Sequence, residues 1–267
     1  MKIVVIGGTG LIGSKVVEKL KSQGHDALAA APNTGVDTIT GKGLAEAVKG
    51  AQVVVDVSNS PSFDDRAAMD FFETSGRNLI GAEKDAGVQH HVALSVVGTD
   101  RLQDSGYFRA KLAQEQMIEG SAIPYTLIHA TQFFEFIRAI ADVSTVSGTV
   151  RLPSVKFQPI AAQDVASEIA NAALAAPASR MIEIAGPETF NLDEAVRKVL
   201  EYDHDRREVI ADPSAPYYGI AVSESTLVPA PDAQLGSTTL QWWLAHVPAP
   251  AKVSAQAQVR EPAHSTN

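Results

Sequence analysis

A glycine triplet directly behind a short apolar run is the feature that most restricts how this chain can fold. Lys2-Ile3-Val4-Val5-Ile6 is β-branched and apolar, and Gly7-Gly8-Thr9-Gly10-Leu11-Ile12-Gly13 follows without a break. Val16, Val17 and Leu20 then fall at helical spacing, with Lys15, Glu18, Lys19 and Lys21 on the other side. Strand, glycine turn and helix in that order form a unit that holds a diphosphate on the free N–H groups of a helix. Gly7 serves the tight turn, Gly10 the approach of backbone to phosphate, and Gly13 the close packing of helix on strand. Gly7, Thr9, Gly10, Leu11, Ile12 and Gly13 are therefore the expected dinucleotide contacts, with an ordinary tight turn as the plain alternative.

Strand and helix patterns alternate from there, as in a parallel sheet with helices on both faces. Further strands are expected at 27–31, 36–39, 53–57, 92–97 and 125–129. Helices are expected at 44–49, 64–86, 107–119 and 131–142, with Ser62 as the cap of the second. After a return segment near 155–186 the pattern weakens. The expected fold is α/β: a doubly wound parallel sheet over residues 1–186, a small C-terminal lobe on the substrate side at 187–247, and a loosely held Pro/Ala/Ser-rich tail at 248–267. Ligands of such sheets lie beyond the carboxyl ends of the strands. That rule nominates the loops at 7–13, 31–35, 58–62, 95–106 and 129–134.

Composition narrows the function classes. The formal charge of -9 disfavours a nucleic-acid partner. With no cysteine, thiolate catalysis, disulfides and Cys-ligated zinc are excluded. No apolar run spans a bilayer, and the N-terminus enters a strand at once, so no membrane partner and a cytoplasmic location are the expectations. His90 and His91 point to opposite faces of a strand and do not suggest a shared metal; no metal site is expected.

Tyr107 and Lys111, four apart, share a helix face, and Ser95 ends the strand before them. A free phenol has a pKa near ~10. An adjacent ammonium favours the phenolate, and such a phenol can pass a proton to a carbonyl as hydride arrives from a nicotinamide. Ser95 would orient the same oxygen, and Lys111 would also reach the nicotinamide ribose. A surface Tyr/Lys pair is the plain alternative.

Gly7-x-x-Gly10-x-x-Gly13, Leu94-Ser95-Val96-Val97-Gly98, Tyr107-x-x-x-Lys111, Ile123-Pro124-Tyr125-Thr126-Leu127-Ile128 and Pro159-Ile160-Ala161-Ala162-Gln163-Asp164-Val165-Ala166 together resemble the short-chain dehydrogenase/reductase superfamily. The nearest likeness is to its atypical, NmrA-like branch of NAD(P)-binding proteins. It covers about the first 185 residues and implies a Rossmann-type fold, with Tyr107, Lys111 and Ser95 in the acid-base, ribose and carbonyl-orienting roles. The chain departs from that branch in having His129-Ala130 for a common Arg-Pro and Gly41-Lys42 for a Gly-Asp. Many members of the branch lack the Tyr/Lys pair and act as redox sensors.

Ala31-Pro32-Asn33-Thr34 carries no charge where a carboxylate would select NAD, which leans the expected cofactor toward NADP(H) over NAD(H). Asn33 and Thr34 are expected at the ribose. Ser58, Asn59 and Ser60 are expected beside the adenosine, and Lys42 is a candidate for the phosphate or a solvated loop lysine. Val97, His129, Gln132 and Phe133 are the substrate-side candidates. Of Phe133, Phe134 and Phe136, at least two are expected to be core. Trp242 and Trp243 dock the last helix or form a subunit contact, and Glu201 to Glu208 reads as a solvated helix end. Monomer and homodimer remain open. The expected activity is an NAD(P)-dependent oxidoreductase acting on a carbonyl or alcohol of a small, fairly apolar substrate. A non-catalytic redox sensor and a nucleotide-sugar epimerase or dehydratase are the alternatives.

Overall fold

The computed structural model describes residues 1–247; the expected tail at 248–267 lies outside the described residues. The chain runs β1 (Lys2–Ile6), α1 (Leu11–Ser22), β2 (Asp26–Ala30), α2 (Leu44–Val48), β3 (Val53–Asp56), α3 (Asp65–Ala86), β4 (His90–Val96), α4 (Gly106–Glu119) and β5 (Tyr125–Ala130). It continues with α5 (Ile137–Val143), β6 (Thr145–Val146), β7 (Thr149–Leu152), β8 (Lys156–Phe157), α6 (Ala162–Leu174), β9 (Met181–Ala185) and β10 (Phe190–Asn191). Last come α7 (Leu192–Tyr202), β11 (Glu208–Ala211), β12 (Gln234–Leu235) and α8 (Leu240–His246).

Seven strands form one parallel sheet in the order β12-β9-β5-β4-β3-β1-β2. This is the Rossmann-type arrangement that the alternating pattern implies. The order reverses beside β1, so the loops leaving β1 and β3 part there and open a crevice at the sheet's carboxyl edge. The central strands are apolar on both faces because both faces are covered. Val16, Val17 and Leu20 of α1 pack with Val165 and Ile169 of α6 against Ile3, Val5 and Val92. On the other face Val4, Ile6 and Val54 meet Leu44 of α2 and Leu79 of α3, while Ala93 and Leu127 meet Ile118 of α4. No helix among the described residues is long and apolar enough to cross a membrane.

The lobe has its own core, in which Phe134, Ile137, Leu152 and Phe157 pack with Leu192, Val196, Leu227 and Trp243. Residues before 187 thus contribute to it, and β12 returns from it to pair with β9. Trp243 is buried and its indole N–H donates to Glu135, which docks α8, whereas Trp242 is half-exposed and stacks on His246.

Several local expectations are corrected. Residues 36–39 are not a strand: the Asp37 carboxylate accepts the N–H of Ile39 at 2.8 Å, folding the segment into a turn. The helix expected at 131–142 starts only at Ile137, after a short 3₁₀ turn at Phe134–Phe136. Phe133 bridges to Ile160, and that pairing holds the preceding residues extended. The cap of α3 is Asp64, which accepts from the Ala67 N–H, while Ser62 takes the N–H of Asp64. The charged run at 201–208 is not simply solvated. Asp203 accepts two bonds from Arg138, at 2.6 and 2.8 Å, and Arg207 reaches Asp142 and Asp205.

Candidate nucleotide-binding and catalytic site

The glycine turn is shaped by contacts that leave no room for side chains. Gly7 has φ +75, and a Cβ there would lie 2.9 Å from the carbonyl oxygen of Val57. A Cβ on Gly13 would stand 2.2 Å from the carbonyl oxygen of Gly7. Gly8 is as tight, with a Cβ 2.6 Å from Cα of Ala29, a need the glycine spacing alone did not single out. The Gly7 and Gly8 amides are tied to the Ala30 carbonyl and that of Gly10 to Gly7. The amides of Thr9, Leu11, Ile12 and Gly13 have no protein acceptor among the described residues. Gly10 caps α1 without a side chain, and no acid sits in the first turn. Free amides, a helix's positive end and no competing carboxylate fit a diphosphate.

At the end of β2 the two expected contacts differ in availability. The Thr34 hydroxyl is engaged with Ala29 and Ala31 of its own turn. Asn33 is exposed, and its side-chain oxygen accepts the Thr9 hydroxyl at 3.1 Å. That bond holds Asn33 beside the glycine turn. Asp37, the nearest acid, is held by its own loop, which also lowers its pKa, the Ile39 amide being the main cause.

Beyond β3, Ser58 donates to the Asp56 carboxylate at 2.6 Å, and Ser60 to the carbonyl of Ser62. Asn59 is exposed, and its side-chain oxygen accepts both the Ser60 N–H and, at 2.9 Å, the Tyr107 hydroxyl. Tyr107 is therefore placed at the rim of the β3 exit. Phe63, Phe72 and Phe108 pack around its ring, at centroid distances of 5.2, 6.0 and 5.5 Å.

The expectation of an ammonium-acidified phenol is not met. Burial pushes the Tyr107 pKa up to about 12, against a smaller lowering by Asn59. Lys111 is 2% exposed, and its Nζ donates to the Leu94 carbonyl at 2.9 Å and to the Gln114 side chain at 2.6 Å. It also lies 4.8 Å from the centroid of the Phe72 ring. Burial brings its pKa down to about 8, opposed by Asp56 and Glu115. The amide of Gln114 in turn donates to Asp56 at 2.9 Å.

Ser95 is buried, and its hydroxyl donates to Glu115 on α4. His129, the neighbour of Ser95 in the β4–β5 register, has its Nε2 3.1 Å from the same carboxylate. That contact is an ion pair without the alignment of a hydrogen bond. Burial raises the Glu115 pKa, but His129, Ser95 and Lys111 together leave it below the ordinary value. Ser95 and Tyr107 thus share no partner. Asp56, Gln114 and Glu115 were missed in the sequence; the signal was the stripe Tyr107, Lys111, Gln114, Glu115, at i, i+4, i+7 and i+8 of one helix.

On the substrate side, Val97 is fully buried, with its N–H on the Ala130 carbonyl. Phe133 stacks on Phe136, Phe134 is buried in the lobe, and the Gln132 side chain is 9% exposed. The segment after Val222 crosses the strand ends: Arg101 donates to the Val228 carbonyl and the Ala230 N–H to Glu183. His90 and His91 are held separately, by Thr126 and by the Glu83 carboxylate.

A sequence model described as NAD(P)H-binding matches residues 7–177. The chain is 23% identical over 176 residues to the photosystem II assembly factor Ycf39 of Cyanophora paradoxa, a match over 59% of this chain and 55% of that one. It therefore spans little more than half the length of that relative. Among solved structures, an NADPH-dependent quinone oxidoreductase from Escherichia coli superposes with a TM-score of 0.66 at 19% identity, covering 91% of this chain and 98% of that one. The Bordetella bronchiseptica enzyme WbmH in complex with NAD+ gives 0.69 at 15% identity, covering 91% and 96%. The UDP-glucose 4-epimerase of Thermus thermophilus in complex with NAD gives 0.65 at 18%, covering 92% and 93%. With a family match over most of the chain and a cradle of free amides in the fold those structures share, the chain belongs to the NAD(P)H-binding family of the atypical short-chain dehydrogenase/reductase superfamily.

Proposed function

We propose that this chain is an NAD(P)H-dependent oxidoreductase of the NmrA-like branch that reduces a carbonyl or quinone group on a small, fairly apolar substrate. The observation that carries the reading is the placement of Tyr107 at the β3 exit, against which the diphosphate turn is packed through Gly7. When bound, the nicotinamide supplies the hydride. The amides of Thr9, Leu11, Ile12 and Gly13 would hold the diphosphate, and the exposed Asn33 would face the adenosine ribose. The Asn33 amide donates hydrogen bonds, and the Asp37 carboxylate is turned into its own loop. Both favour a 2′-phosphate, hence NADP(H).

Tyr107 keeps its proton at neutral pH, because its pKa lies near 12. It is therefore set to donate to the oxygen of a carbonyl being reduced. Alcohol oxidation would need the phenolate as base and would accelerate only in alkali. The test is consumption of NADPH and of NADH with a panel of quinones, aldehydes and ketones. Turnover by wild type, a loss of at least about a hundredfold in Tyr107→Phe and unchanged dinucleotide affinity are expected. Equal turnover by Tyr107→Phe would remove the phenol from the mechanism.

A second reading, a protein that binds NAD(P)H without turning it over, is favoured by one observation: Ser95 and Lys111 are both engaged beneath α4. It predicts affinity that differs between oxidised and reduced nucleotide and no turnover across the panel. A nucleotide-sugar reading has less support, because Arg207, half of the only basic pair in the lobe's charged run, is tied to Asp142 and Asp205.

A further inference from the structure

Thr131 and Gln132 leave β5 at the carboxyl edge of the sheet, where ligands of this fold lie. Both are buried, at 1% and 9% exposure. The hydroxyl of Thr131 and both polar atoms of the Gln132 amide are sealed from solvent and have no hydrogen-bond partner. Three of the seven such atoms among the described residues therefore sit on two adjacent side chains.

Their backbone is fully engaged. The Thr131 N–H donates to the Ile184 carbonyl, the Gln132 carbonyl accepts from Ile160, and the Ile160 carbonyl accepts from Phe134. The loop is pinned to β9 and to the return segment, so the side chains cannot simply turn out to water. Buried polar groups are almost always paired, and a pinned pair left open marks a place where a partner arrives from outside.

The partner's chemistry follows from the donors and acceptors. The Gln132 amide offers two donors and an acceptor, and the Thr131 hydroxyl both donates and accepts. Both are neutral, and the nearby charges of Glu115 and His129 already face each other at 3.1 Å. A carboxylate or an ammonium would arrive unbalanced. A group carrying a donor and an acceptor on one carbon fits without loss. We propose that Gln132, supported by Thr131, is a ligand-reading contact for a primary carboxamide, borne by the nicotinamide ring or by the substrate. The proposal deepens the dinucleotide reading and rests on it.

The test compares wild type with Gln132→Leu and the near-isosteric Gln132→Met. Each is titrated with NADPH and NADH and with ADP-ribose, which keeps the diphosphate and lacks the ring. Each is also melted without ligand, and melted again with benzamide added at saturating ADP-ribose. If the ring amide is read, both variants lose at least tenfold in affinity for the dinucleotide, keep ADP-ribose within twofold, and melt unliganded no lower than wild type. If a substrate amide is read, dinucleotide affinity holds and the benzamide-induced shift disappears. No change in either, or variants that melt well below wild type without ligand, overturns the proposal; the second result makes the amide part of the core. Wild type binding neither dinucleotide nor ADP-ribose defeats the dinucleotide reading itself, a failure distinguishable from the other two.

Discussion

At the turn from Gly7 to Gly13 the groups offered to a ligand are main-chain amides with no protein acceptor among the described residues, on a backbone that admits no Cβ. At the exits of β4 and β5, sixty to a hundred residues further along, nearly every side chain with chemistry is already bound to another: Ser95 and His129 to Glu115, Lys111 to Leu94 and Gln114, Gln114 to Asp56. The first region is open and rigid because its chemistry is in the peptide groups. The second is rigid because its polar side chains satisfy each other between sheet and helix. Binding capacity and catalytic capacity are thus built separately in this fold, and one does not vouch for the other.

The comparison is broken most directly at the turn. Gly13→Val places a branched side chain where even a Cβ stands 2.2 Å from a carbonyl oxygen. Dinucleotide binding by fluorescence titration should fall at least about a hundredfold, with a loss of several kcal/mol, roughly 3 or more, in denaturant unfolding. Gly24→Ala is the control, since φ is +81 there but the space is open; its cost should be about 1 kcal/mol with affinity intact.

The second region is probed through its shared acceptor. Glu115→Ala leaves Ser95 and His129 without their carboxylate and should cost about 3 kcal/mol, while the turn still binds dinucleotide. A variant as stable as wild type would mean that the cluster does not hold α4 to the sheet.

Lys111 gives a smaller effect with a defined sign. Its folded pKa of about 8 lies below the ordinary 10.5, so between those values unfolding takes up a proton and stability rises with pH. The rise, at most roughly 3 kcal/mol from the size of the shift, should flatten in Lys111→Met when melting is followed from pH 7.5 to 10. His90 works the other way at low pH. Burial, with His91 adding to it, lowers its pKa to about 4, so unfolding takes up a proton between about 6.5 and 4 and stability falls as pH drops. His90→Gln should soften that fall.

The smallest change is expected at β2. Asn33→Asp adds a carboxylate beside the glycine turn and should move the ratio of NADPH to NADH affinity toward NADH by about tenfold, as one opposed charge pair warrants. Equal ratios in variant and wild type would show that the adenosine end lies elsewhere.

Much of the fold was legible because its signals are local. The apolar runs at 2–6 and 53–56, the helix spacing of Val16, Val17 and Leu20, and Gly87 closing α3 each lie within a few residues. The misread places were decided at a distance or by an unnoticed turn. Val36 and Ile39 look like strand residues, but Asp37 folds them into a turn. Thr131 to Phe133 look helical, but pairing with Ile160 holds them extended. The site divides the same way. The shared helix face of Tyr107 and Lys111 was visible, whereas Asp56, Leu94 and Ser95 reach that face only across the sheet.

The sequence by itself determined the diphosphate turn and the parallel layout, since glycine placement and hydrophobic period act through steric rules that hold wherever the rest of the chain goes. Only the tertiary structure decided the state of the functional side chains. A phenol's acidity, an ammonium's availability and an amide's lack of a partner depend on the groups that folding brings within about 3 Å. In this protein those groups come from strands and helices far apart in the chain.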